Sequence, residues 1–332
     1  MTNCTSTPDR KSSNWRANTG GSAEPARFSL LFFLSFCLLT LLTPRIAWAQ
    51  DLRAVFQYGR QMGLATVRQE SLLVGYLSQW TPAQQQGLQQ QIGRGRSPLA
   101  QFLLLESVLA FDQPAVIASF ADRISTLSDQ QLLAKCTVRT SQRSLIQQWQ
   151  NSCSITVVEM FLADLCPRYA FELKAQPDFS TVNPAQPDGI AQQQLQLLRQ
   201  YGGLGSLRGS TGGSDIGLNG PLNDFVGKIL GVSFGAQAVG TDPGENVRLI
   251  RAQLAAGFCV PIRINIVPDV GHFLLILDSH PTATGPAFLI YEPYNGLMGY
   301  VSESNFRQNS LAPLNTTWQW QLTHLYSGQP TN

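Results

Sequence analysis

Between Val260 and Ile266 the apolar residues Val260, Ile262, Ile264 and Ile266 alternate with Pro261, Arg263 and Asn265. A two-residue period of this kind admits a strand and excludes a helix. The segments "HFLLILDS", "AFLIYEP" and "TTWQWQLTHLYS" follow with strand character and with turn residues between them. Ahead of this block the period changes. "LRAVFQYGRQMG", "TPAQQQGLQQQIG", "SPLAQFLLLESVLAFD" and "LSDQQLLAK" repeat apolar residues at three- and four-residue spacing, with Thr81, Ser97 and Ser128 placed to cap them. Helices first and a largely antiparallel sheet afterwards predict an α+β chain.

Within that frame residues 50–135 form a helical region of four to six short helices. Beyond it, one helix is expected through "SITVVEMFLADL", ended by Pro167. Another is expected in "IAQQQLQLLRQYGG", and a third in "NVRLIRAQLAAG", stopped by Gly257. Eight glycines fall between Gly202 and Gly220 with serines and threonines, a composition that regular elements tolerate poorly. This stretch, 202–220, reads either as a mobile wall of a substrate cleft or as a surface insertion. A phosphate cradle is disfavoured, because "GGLGSLRGSTGG" lacks a Lys-Ser/Thr ending and no apolar strand leads into it.

Residues 1–49 read as a targeting segment. An apolar run from Phe28 to Leu42 is preceded by Arg10, Lys11, Arg16 and Arg27 and followed by "AWAQ", with small Ala47 and Ala49 around a cut before Gln50. Its 15 residues fall short of the roughly 20 a spanning helix needs, so a signal peptide leading to a secreted or periplasmic protein is the first reading and an uncleaved membrane anchor the second. Cleavage takes five basic and two acidic residues from totals of 23 and 21, leaving a nearly neutral chain with no basic surface for nucleic acid or an anionic membrane. Four cysteines remain, Cys136, Cys153, Cys166 and Cys259. With no CxxC and no cysteine–histidine pair at ligand separation, no metal site is expected. Two disulfides using all four are the alternative to a free reactive thiol.

In "IQQWQNSCSITVVEM" Cys153 stands behind a polar turn and opens a helical run, with Gln147 six residues earlier. Unpaired N–H groups and the dipole at a helix N-terminus favour a thiolate. Of three histidines, His324 shares a strand face with Trp318, Trp320 and Leu322, and His280 stands before Pro281 in an expected turn. His272 in "GHFLLILDS" opens an apolar strand, and Glu292 in "FLIYEPYNG" closes the next. The three read as nucleophile, base and orienting carboxylate.

These residues, "QQWQNSC" before an apolar helix, "GHFLLILD" and "IYEPYNG", resemble the papain-like cysteine peptidase clan, most closely its bacterial peptidase C39-like members. The resemblance covers roughly residues 136 to 305. It implies a papain-like fold over 136–328, with residues 50–135 as an extra helical region. It also implies Cys153 as nucleophile, Gln147 as oxyanion donor, His272 as base and Glu292 in the orienting position. His272 and Glu292 fall 119 and 139 residues after Cys153, near the roughly 130 to 150 of papain-type enzymes. The chain departs from the clan in having Ser154 after the cysteine and Glu292 where Asp or Asn is usual. Asn295 and Asp278 therefore stand as alternative third members, and Gln148 and Gln150 crowd Gln147. The implied function is hydrolysis of peptide bonds in a protein or peptide substrate, with no cofactor. Deamidation, transglutamination or other acyl transfer on the same fold is a second reading. An inactive peptide-binding module is a third.

Overall fold

The computed structural model describes residues 52–62, 64, 81–109, 114–139, 144–182, 189–205, 217–266, 270–283 and 285–330. Residues 1–49, expected from the sequence to be a targeting segment, and residues 206–216 of the glycine-rich loop lie outside the described residues. Among those described, no helix is long and apolar enough to cross a membrane.

Five helices occupy the first part of the described chain: α1 (residues 52–61), α2 (Pro82–Ile92), α3 (Pro98–Leu109), α4 (Pro114–Ile124) and α5 (Asp129–Cys136). Thr81 and Ser128 each close a capping box with the glutamine three residues on, and the Ser97 hydroxyl accepts from the Ala100 N–H. These bonds satisfy N–H groups that would otherwise be orphaned, which is why the chain enters helix at those positions. Helix α3 is the centre of the group: Leu99, Phe102, Leu103, Leu104 and Leu105 are fully buried against Phe56, Leu88, Phe120 and Leu132.

Then come α6 (Cys153–Leu165), α7 (Pro167–Lys174) and α8 (Gly189–Gln200), and a run of short helical turns from Asn219 to Leu230 with a π-turn at Leu222–Gly227. The sheet follows: β1 (Val232–Ala238), helix α9 (Pro243–Ala255), β2 (Val260–Ile266), β3 (Val270–Thr282), β4 (Gly285–Glu292), β5 (Leu297–Ser302), helix α10 (Glu303–Arg307) and β6 (Trp320–Pro330). The order is β1-β6-β2-β3-β4-β5, and every neighbouring pair is antiparallel. The fold is therefore α+β with a six-stranded antiparallel sheet.

Strands β3 and β4 are covered on both faces. Phe273, Leu275, Leu277, Leu289 and Tyr291 join the core containing α6, while Leu274, Ile276, Phe288 and Ile290 join the core containing Val247 and Ile250 of α9 and Phe306 of α10. Double coverage explains why these strands read as unbroken apolar runs while β2 alternates. The helical group meets the rest of the molecule at α7, where Phe171 packs edge-on against Phe120 and the Lys174 ammonium donates to the carbonyls of Ala134 and Thr137.

Helix α6 ends at Leu165, ahead of Pro167 as expected, and Pro167 opens α7, a position where its missing N–H costs nothing. Two points depart from the sequence reading. His280 lies within β3 and not in a turn. Strands β1 and β5 were not anticipated because they are the sheet edges, where β1 buries only Val232 and Phe234 and β5 only Val301. An edge strand with one or two inward residues carries too little alternation to register as a strand.

A charged cluster ties the start of this part to α6 and β3. The Arg139 guanidinium donates through two nitrogens to both oxygens of Asp164, at 2.7 and 2.8 Å, and lies 3.5 Å from Asp278. The Cys259 thiol donates to Asp164 at 3.3 Å. Removing one partner of a buried pair strands the other charge. Arg139→Met is expected to lower stability by about 3 kcal/mol in urea unfolding, and Arg139→Met with Asp164→Leu to recover most of that loss.

Candidate active site

Cys153 is the first residue of α6, and the turn through Trp149, Gln150 and Asn151 delivers it there. That turn is anchored on the sheet. Ser144 N–H donates to Gly296 O at 3.0 Å, Gln147 N–H to Pro293 O at 2.8 Å, and the Tyr291 hydroxyl to Leu145 O. Thus the segment carrying the cysteine lies across the β4–β5 turn.

His272 sits near the start of β3, opposite Ile264 of β2. In the β3–β4 ladder Leu275 pairs with Tyr291, so the next positions bring Leu274 opposite Glu292, and His272 lies two residues farther on the same side of the pleat. Such diagonal neighbours are within reach of long side chains. His272 Nε2 is 2.9 Å from Glu292 Oε1; a carboxylate accepts, so Nε2 carries the proton. Nε2 being committed, Nδ1 is the nitrogen left to face Cys153, whose side chain favours the protonated ring.

All three groups are buried: Cys153 is 4% exposed, His272 5% and Glu292 0%. Burial pulls the imidazole toward its neutral form, yet the hydrogen bonds to Cys153 and Glu292 and the charge at both outweigh it, raising His272 from 6.5 to about 9. The Glu292 carboxylate also accepts from the backbone N–H groups of Tyr294 and Asn295. Trp318 stands edge-to-face with the His272 ring, centroids 5.2 Å apart.

Cys153, His272 and Glu292, far apart in the chain, are thus brought together as expected from the sequence. The alternative third members fall elsewhere. Asp278 is beside Arg139, and Asn295 meets the site through its backbone N–H on Glu292. His324 is on β6, its Nδ1 3.2 Å from Thr323 Oγ1. Gln147 departs from the expected geometry of an oxyanion donor: Nε2 donates to the carbonyls of Trp149 and Gln150, both at 2.7 Å. Both amide protons are thereby engaged, and the side chain braces the turn from within. Gln148 points away, its Nε2 donating to Asp178 O and Thr181 O. Among the described residues Cys136, Cys153, Cys166 and Cys259 are buried and in no disulfide, so no disulfide consumes Cys153. Among the described residues no group of His, Cys, Asp and Glu is arranged to hold a metal ion.

The glycine-rich loop begins beside this turn, where Asn151 Nδ2 donates to Leu204 O at 2.6 Å. Gly205 lies so close to Leu195 that a Cβ there would sit 2.4 Å from Leu195 Cδ1.

Compared with known proteins, the chain matches no family model and no curated protein.

One residue that the sequence reading did not single out is required by this geometry. Gly296 has φ of 62°, and a Cβ on it would lie 2.6 Å from Ile146 Cγ1 and 2.7 Å from Ser144 O. Left-handed backbone and a close backbone neighbour both exclude a side chain. Gly296→Ala is expected to lower stability by about 1–3 kcal/mol in urea unfolding and to slow alkylation of Cys153, because the displaced backbone carries the cysteine's turn.

Proposed function

We propose that this chain is a cysteine peptidase of papain-like fold in which Cys153 is the nucleophile, His272 the general base and Glu292 the orienting carboxylate. The observation that carries the proposal is a buried histidine that shares a hydrogen bond with a buried carboxylate and has as its other neighbour a cysteine at a helix N-terminus. The division of labour between a helix carrying the thiol and an antiparallel sheet carrying histidine and acid is in keeping with it.

In the proposed reaction His272 Nδ1 takes the proton from Cys153 Sγ, and the sulfur bonds to the carbonyl carbon of the scissile amide. The oxyanion is stabilised by N–H groups at the uncapped start of α6. Losing one such donor typically costs about 3 kcal/mol in the barrier. Collapse breaks the C–N bond, the imidazolium gives its proton to the departing amine, and water activated by His272 hydrolyses the thioester. Gln147 can assist only if substrate draws its Nε2 from the Trp149 and Gln150 carbonyls. Glu292 keeps the proton on Nε2 and opposes the imidazolium charge.

The inactive peptide-binding reading has its own support in the engaged Gln147 amide and the 4% exposure of Cys153. Iodoacetamide separates the two: fast, selective labelling of Cys153 near neutral pH supports the peptidase, and slow, uniform labelling of the four thiols supports the binding module.

Cys153→Ala is expected to abolish amide hydrolysis in a folded protein, and retention of full activity would sink the assignment. Because a raised folded-state pKa means that the imidazolium persists to about 9, turnover should lose its protonated histidine on an alkaline limb near that pH. Glu292→Gln removes a negative charge that favours the proton and leaves only a neutral amide oxygen to accept from Nε2, so that limb should move to lower pH and the rate should fall. Glu292→Asp should retain more activity than Glu292→Ala. An unmoved limb in Glu292→Gln would exclude Glu292 as the partner of His272.

The proposal includes export directed by residues 1–49. N-terminal sequencing of the mature protein should begin at Gln50; an intact chain in the membrane fraction would favour the anchor.

A further inference from the structure

Ser152 occupies the N-cap of α6, yet its side chain caps nothing. A serine at that position ordinarily turns its oxygen onto an N–H of the first turn. Here the hydroxyl faces the other way: it donates to Gln194 Oε1 at 2.9 Å and accepts from the Trp149 N–H at 3.2 Å. The same Gln194 oxygen accepts from the Gln148 N–H at 2.9 Å. Gln194 is fully buried on α8, and its Nε2 donates to Glu159 Oε2 at 2.9 Å. Glu159 in turn belongs to α6, six residues after Cys153, and is 2% exposed.

The bonds form a closed bracket. It leaves α6 at Glu159, crosses to α8 at Gln194, and returns to both ends of the turn that delivers Cys153. An amide side chain fits the middle position because it donates from one atom and accepts at another. Burial pushes the Glu159 carboxyl up to about 8, with Asp178 adding to the rise and the Gln194 hydrogen bond opposing it. Near neutrality the bracket is therefore built from largely uncharged groups, and Oε2 accepts from Gln194 in either protonation state.

We infer that Gln194, held by Glu159, is a positioning residue for the nucleophile: it fixes the Gln148–Ser152 turn and keeps the Ser152 hydroxyl off the first turn of α6, leaving those N–H groups open toward the site. This role rests on the proposed function, since open N–H groups matter where an oxyanion forms and where a thiolate is to be stabilised. It matters more because the Gln147 amide is engaged within the turn.

The test uses the whole mature chain, with iodoacetamide as the probe of Cys153 and circular dichroism and thermal melting as independent measures of folding. Gln194→Met preserves length and volume but removes both hydrogen-bonding functions. It is expected to slow Cys153 alkylation at pH 7 on the order of tenfold, as displacement of a reacting group does. Adding Ser152→Ala to Gln194→Met should recover part of the rate, because alanine cannot cap the helix; a purely structural loss would not be relieved by a second deletion. Gln194→Glu alone sets two carboxyl groups against each other and should also be slow. Glu159→Gln with Gln194→Glu restores the bracket with donor and acceptor exchanged, and should return the rate to near wild type even if Gln194→Met does not fold. Wild-type labelling in folded Gln194→Met, or a folded exchanged pair as slow as Gln194→Glu, would overturn the positioning role while leaving the peptidase proposal standing. Wild-type Cys153 labelling no faster than in the unfolded chain would remove the peptidase proposal, and the positioning role with it.

Discussion

A carboxylate with no solvent exposure must find its donors inside the protein, and Glu292 finds three: the His272 ring and the N–H groups of Tyr294 and Asn295. An unpaired buried charge is among the costliest features a fold can hold, so these bonds are obligatory. Their consequences spread outward. Binding two successive N–H groups curls the chain after β4 into the turn that ends at Gly296 and leads into β5. That turn presents the carbonyls of Pro293 and Gly296 to Gln147 and Ser144. The segment so held runs directly into the Cys153 turn. One carboxylate thus orients the histidine and, through five residues of backbone, helps place the cysteine.

Glutamate in this position is consistent with that double duty. The side chain reaches across the pleat to the diagonal position of His272 and folds back onto the backbone two and three residues ahead. Shortening it by a methylene would move the carboxylate by about one C–C bond, a change large against the tolerance of a hydrogen bond. The histidine and the turn would then compete for oxygens that now serve both.

Much of this was legible in the sequence. Strand β2 declared itself by alternation, β3 and β4 by apolar runs, and the caps at Thr81 and Ser128 by serine or threonine ahead of glutamine. Cys153, His272 and Glu292 could be picked out because each stands where a regular element begins or ends, and such ends point side chains at their neighbours. What stayed hidden depends on contacts between distant residues. Edge strands β1 and β5 bury too few side chains to leave a pattern. The direction of the Gln147 amide is set by carbonyls two and three residues away, which composition does not encode. Trp318 faces His272 across a gap of 46 residues in the chain, and Gln194 faces Ser152 across 42. No local period announces either pair.

Among the described residues, helix α7 couples the helical group to the site. The first core closes over Phe171 of α7, and α7 follows α6 after the single residue Cys166. Arg123 lies 4.6 Å from the Phe171 ring centroid, a contact that strengthens as it is desolvated. Because α6 begins at Cys153 and ends at α7, the helical group bears on the site along the helix axis and not across the cleft. A helix is stiff over thirteen residues, so docking the helical group at one end restrains the other. The sheet, by contrast, fixes the same cysteine from the side through the turn at Gly296. Two independent restraints, one axial and one lateral, meet at a single thiol, and each originates in a core that the other does not share.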